Sequence, residues 1–131
     1  MKTDVRNIDD IKVLVDTFYA KVRVDGLLGP VFAARIQDWG PHLDTMYRFW
    51  NAALFGVREY VGNPFAKHAP LPLESKHFEQ WINLFYETLD ERFEGTVSDE
   101  AKHKAALMAH TFYSRIEAAR PQRPLSDLPK I

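Results

Sequence analysis

The histidines are the residues best placed to do chemistry. His68 lies in the stretch from Asn63 to Phe85, where Pro64, Pro70 and Pro72 surround it and an aromatic run carrying Phe78, Trp81 and Phe85 follows. Proline lacks an N–H and fixes φ, so no long helix can run through this segment. A neutral imidazole held on a brief turn beside an apolar wall meets the needs of a haem iron on its proximal side. The plain alternative is a surface histidine in a Pro-rich loop. His42 heads an apolar helical stripe, where a histidine is equally a partly exposed cap. Tyr19 sits beside Phe18 at the edge of such a stripe, where it is equally an ordinary core-edge tyrosine. His68 and His77 straddle a Pro-rich turn without the carboxylate spacing that a non-haem metal chelate needs. His103 and His110 share a helix face and read as solvated.

These side chains need helices to position them. Asn7 can cap a first helix, with Asp9 and Asp10 at its positive dipole end. Ile11, Val15, Phe18 and Val22 then form one stripe. Gly26, Gly29 and Pro30 read as its end, followed by an apolar corner of Leu27, Leu28, Val31 and Phe32. Trp39, Gly40 and Pro41 open a second helix whose face carries His42, Met46, Phe49 and Ala53 and which stops at Gly56. The spacing predicts a long helix from about Leu73 to Phe93, with Gly95 after it. Thr96 and Asp99 have capping-box spacing for a last helix, whose stripe is Ala101, Ala105, Met108, Phe112 and Ile116. Four helices and no strand pattern predict an all-α fold. Broad aromatic faces favour angled crossings that leave a pocket between them.

A chain of 131 residues is one domain, with its core over about 8–120 and a Pro-rich tail over 121–131. A net charge of −1 gives no basic field for nucleic acid. The absence of cysteine excludes disulfides, thiolate metal sites and covalent haem attachment, so any haem is held non-covalently. Neither a signal-peptide core nor a membrane-spanning run is present, which makes a cytoplasmic protein the expectation.

Taken in order, the pair Phe18-Tyr19, the corner Leu28-Gly29-Pro30-Val31-Phe32, His42 leading to Phe49-Trp50, His68 before its prolines and the run Phe78 to Leu89 with Trp81 resemble the third group of the truncated haemoglobin family. The likeness spans about Ile8 to Arg120. The paired-glycine motifs of groups one and two are missing. The resemblance implies a truncated globin fold, an angled two-over-two helical sandwich around a pocket for haem b. By position it makes His68 the proximal iron ligand and places Tyr19, His42 and Trp81 on the distal side. It further implies a haem pocket walled by Phe32, Met46, Phe49, Phe65, Phe78 and Met108. Arg58, Tyr60 and Lys67 are candidates, on placement alone, to meet the haem propionates.

That reading implies a haem-binding globin taking dioxygen, carbon monoxide and nitric oxide, with an external reductase as a possible partner. Tyr19 and Trp81 can each donate a hydrogen bond, and in a dry pocket each donor is worth roughly 1–3 kcal/mol to a ligand that has gained negative charge. Enzymatic alternatives on the same haem are nitric oxide detoxification and peroxide reduction. The latter lacks an arginine on the predicted distal stripe to act as the cation. A haem-free helical module that binds a partner through the same aromatic faces is the third reading.

Overall fold

Asn7 starts the first helix as its side-chain oxygen accepts the Asp10 N–H at 3.1 Å. In the computed structural model, which describes residues 2–57 and 73–119, this helix is α1 (Ile8–Val24). It is followed by α2 (Leu28–Ala33), α3 (Trp39–Phe55), α4 (Ser75–Arg92) and α5 (Thr96–Ala119). His68, Arg58, Tyr60, Phe65, Lys67 and the tail lie outside the described residues. Among the described residues every regular element is a helix, and the only strand-like pairing is an isolated bridge between Thr3 and Phe93.

Five helices, not four, appear among the described residues, because the corner at Leu28–Phe32 is itself helical. Two features allow this. Pro30 is the third residue of α2, within the first turn, where a missing N–H breaks no intrahelical bond. Gly29 lies so close to α1 that a Cβ there would meet the Arg23 carbonyl oxygen at 2.8 Å. The glycine therefore serves close packing of α2 on α1 and does not break the chain's helicity. Asp25 fixes the corner: its Oδ2 accepts the N–H groups of Leu27 at 3.0 Å and Leu28 at 2.9 Å, and its Oδ1 accepts from Gln80 of α4 at 2.8 Å. Burial opposes the charge on Asp25, but these bonds outweigh it and hold the carboxyl below its usual range.

The long helices form two antiparallel pairs. On α1 and α3, Asp16 accepts from Tyr47 OH, Tyr19 meets His42, and the Arg23 guanidinium lies 4.9 Å from the Trp39 ring centroid. Contacts that climb one helix descend the other. On α4 and α5 the same holds, with Phe78 against Tyr113 and Tyr86 OH donating to the Lys102 carbonyl. Lys104 Nζ reaches the Ala53 carbonyl at 2.6 Å, tying α5 to the negative end of α3. Phe18 and Phe85 sit fully buried where the pairs cross. Phe85 stacks on Trp50 (4.9 Å) and on Trp81 (5.6 Å), and Phe18 stands edge-on to Phe85 and Trp81. Truncating such an aromatic to alanine typically costs about 3–5 kcal/mol.

The N-terminal segment joins this core ahead of Ile8. Val5 is buried, Glu94 N–H donates to the Thr3 carbonyl, and the Asp4 carboxylate accepts the Val97 and Ser98 N–H groups at 2.9 and 2.8 Å. The first turn of α5 is thus capped by Asp4 from the far end of the chain, where the sequence suggested a local Thr96–Asp99 box. Thr96 is instead the first residue inside the helix. The start of α4 also differs from expectation, at Ser75 where Leu73 was expected.

Candidate functional site

The crossing of the two helix pairs leaves a cavity, of about 520 Å³ counted to its mouth, lined by Tyr19, Phe32, Met46, Leu73, His77, Phe78, Trp81, Met108, Ala109 and Phe112. Six residues singled out in the sequence, Tyr19, Phe32, Met46, Phe78, Trp81 and Met108, are brought together here from all five helices. His42 is not on the wall but directly behind it: its ring stands edge-on to Tyr19, 5.1 Å between centroids at 84°, and its Nε2 is shielded from solvent. Phe49 lies half-buried on α3, edge-on to Trp50, and does not line the cavity.

Each wall residue is positioned by its helix. Tyr19 is 4% exposed and is held among Phe18, Phe32 and Trp39 at centroid distances of 4.9, 6.3 and 5.6 Å. Burial raises its phenol pKa far above the ordinary value, so the hydroxyl keeps its proton and stays a donor through the whole neutral range. Trp81 is fixed by its stack on Phe85 and by the edge of Phe18. Its neighbour Gln80 donates to Asp25 at 2.8 Å, which ties the corner ahead of α2 to α4. Trp39, at the start of α3, stands edge-on to His42 at 5.6 Å and is covered on its outer side by Arg23.

Leu73, His77, Ala109 and Phe112 also line the cavity, and the sequence reading had not placed them there. Two carried a signal. Phe112 is one turn beyond Met108 on the same stripe, and His77 is one turn before Trp81, so residues already assigned to the wall had them as same-face neighbours. Ala109 lies beside the stripe, and its small side chain gave no sign. The predicted iron ligand His68, the wall residue Phe65 and the propionate candidates Arg58, Tyr60 and Lys67 fall outside the described residues. Among the described residues no three His, Asp or Glu side chains converge on one point, so none of them forms a side-chain metal cage.

The chemistry open to this cavity follows from its lining. Aromatic and thioether side chains from both helix pairs suit a flat apolar group. Tyr19 and Trp81 supply O–H and N–H donors but no anionic base. Such a site fits a porphyrin that brings its own metal. No described helix is long and apolar enough to cross a membrane.

Comparison with known proteins agrees with this geometry. Residues 7–118 match the family model for bacterial-like globins. Over 121 residues the chain is 32% identical to the group 3 truncated haemoglobin ctb of Campylobacter jejuni, covering 88% of this chain and 95% of that one. It is 31% identical over 70 residues to the group 1 truncated haemoglobin GlbN of a Nostoc species, covering 53% of this chain and 58% of that protein. The crystal structure of the group III truncated haemoglobin from Campylobacter jejuni superposes with a TM-score of 0.80 at 32% identity, over 88% of this chain and 95% of that chain.

Proposed function

The chain belongs to the bacterial-like globins, as a truncated haemoglobin of the third group, and from that premise we propose that it is a haem b protein ligated by His68 that binds dioxygen, carbon monoxide and nitric oxide. The observation that carries the proposal is the cavity itself: two donors, Tyr19 and Trp81, from different helices, set in a wall otherwise mostly apolar. Bound haem supplies an iron centre with a free position for a diatomic ligand. The chain's own part is to hold, shield and polarise. Phe32, Met46, Phe78 and Met108 keep water from the ring. Tyr19, protonated because buried, donates to a ligand that has gained negative charge, and Trp81 donates from the adjoining helix. Trp39 and His42 hold Tyr19 from behind.

Two fixed donors favour tight retention of oxygen over rapid delivery. The role that fits is one in which oxygen is consumed, with nitric oxide as co-substrate and an external reductase restoring the ferrous state. Among the described wall residues none is cationic, so peroxide cleavage gains no support from this site. Titration of the purified apoprotein with hemin tests the cofactor claim. One equivalent should give a saturating Soret band and, on reduction under carbon monoxide, a carbonmonoxy spectrum. A featureless titration would leave the haem-free partner-binding module as the better reading.

A further inference from the structure

His77 is the polar group of the cavity wall that the donors at Tyr19 and Trp81 leave unexplained. It is 8% exposed, in the first turn of α4, one turn ahead of Trp81 and on the same face. Its Nδ1 accepts the Glu74 N–H at 2.9 Å. A ring nitrogen that accepts a hydrogen bond carries no proton, so in the neutral ring the proton is on Nε2. While this bond holds, Nε2 has no lone pair for a metal. It presents an N–H instead. Among the described residues no protein group accepts from Nε2, while Leu73 and Phe78 beside it on the wall are apolar. His77 lines the cavity, so its N–H borders a space walled mostly by apolar side chains, and a group that fills that space satisfies it best by bringing an acceptor. The first turn of α4 is also the positive end of that helix, which favours an anionic acceptor over a neutral one.

We infer that His77 Nε2–H binds a carboxylate of the porphyrin, making His77 a propionate anchor and not a second iron ligand. This rests on the haem reading above. It assigns the capping bond from Glu74 a second task, since the same contact that starts α4 sets the tautomer that faces the ligand.

Comparing hemin with its dimethyl ester, which lacks the carboxylates, isolates the contact. Release of each porphyrin from the reconstituted protein into excess apomyoglobin gives the rates. The wild-type protein should release the ester faster. His77→Phe and His77→Asn should speed release of the free-acid form about tenfold or more and leave the ester's rate unchanged, as expected for loss of one charge-assisted bond. Asparagine keeps an acceptor for the Glu74 N–H but stops short of the Nε2 position, so it guards against loss of the helix cap. An acid-to-ester ratio that survives both substitutions would overturn the inference. So would a rise by the same factor for both porphyrins, which would make His77 a packing residue only. Failure of the wild-type chain to take up either porphyrin would remove the haem reading itself, and is visible before any variant is made.

Discussion

His42 stands edge-on to Tyr19, 5.1 Å between ring centroids at 84°, directly behind the cavity wall and not on it. A contact of this kind is worth about 0.5–1.5 kcal/mol beyond area burial. It suits a residue that props the donor from outside the cavity lining. The ferrous protein should therefore be five-coordinate, and His42→Ala should keep that spectrum. A six-coordinate low-spin ferrous spectrum that His42→Ala abolishes would show the histidine to be a ligand.

Tyr19→Phe and Trp81→Phe should each speed oxygen dissociation by roughly tenfold, the value of one lost donor in a dry site. Carbon monoxide release should change much less, because that ligand gains little charge. On the proposed haem reading both donors act on one ligand, so the double variant need not show the product of the single effects. Stopped-flow dissociation on all four proteins decides it. Fast release in the wild type, unaltered by either change, would end the case for oxygen as a reactant.

The buried phenol gives a pH signature in the apoprotein. Tyr19's pKa is raised by burial, so its contribution to stability is complete below the unfolded value of about 10 and is lost as pH rises above it, because the unfolded chain then releases the proton more readily. Tyr47, pushed up to about 12 by burial and by its bond to Asp16, acts in the same direction. Urea midpoints should fall between about pH 10 and 12, and Tyr19→Phe should flatten that fall. A slope identical in wild type and variant would contradict the placement of Tyr19.

Asp4 caps α5 through Val97 and Ser98, and Gly95 makes room for it. At φ 144° a Cβ on Gly95 would lie 2.5 Å from the Asp4 carboxylate. Asp4→Ala should cost about 1–2 kcal/mol in denaturant melts, and Gly95→Ala at least as much. Burial works against the Asp4 charge, but the backbone N–H bonds outweigh it and hold its carboxyl low. Its contribution is thus present above the unfolded value of about 4 and fades as pH falls through the folded one. Asp4→Asn should narrow the gap between melts at pH 6 and pH 3, and an unchanged gap would count against the cap.

Much of this was legible in the sequence where local rules act alone. The Asn7 cap, the stop at Gly56 and the stripes of α1 and α5 follow from side-chain spacing and terminal chemistry. What escaped depends on contacts between distant segments. Gly29 and Pro30 have the composition of a break, and only the close approach of α2 to the Arg23 carbonyl shows why a glycine belongs inside that helix. Asp4 fits no local capping pattern, yet it caps a helix that begins some ninety positions later. At the cavity, the family likeness points to Tyr19 and Trp81, whereas His77 reads in the sequence only as a histidine without chelate spacing, because its Nδ1 contact with Glu74 shows only in the folded chain.

Ligation of haem by His68 is tested most directly by the absorption spectrum of His68→Gly with and without added imidazole. The variant should lose haem or show altered ligation, and imidazole should restore the wild-type ferrous and carbonmonoxy spectra. His77→Ala, run alongside, should leave the ligation spectrum unchanged. Normal ligation in His68→Gly without imidazole, or altered ligation of the haem that His77→Ala retains, would contradict the assignment.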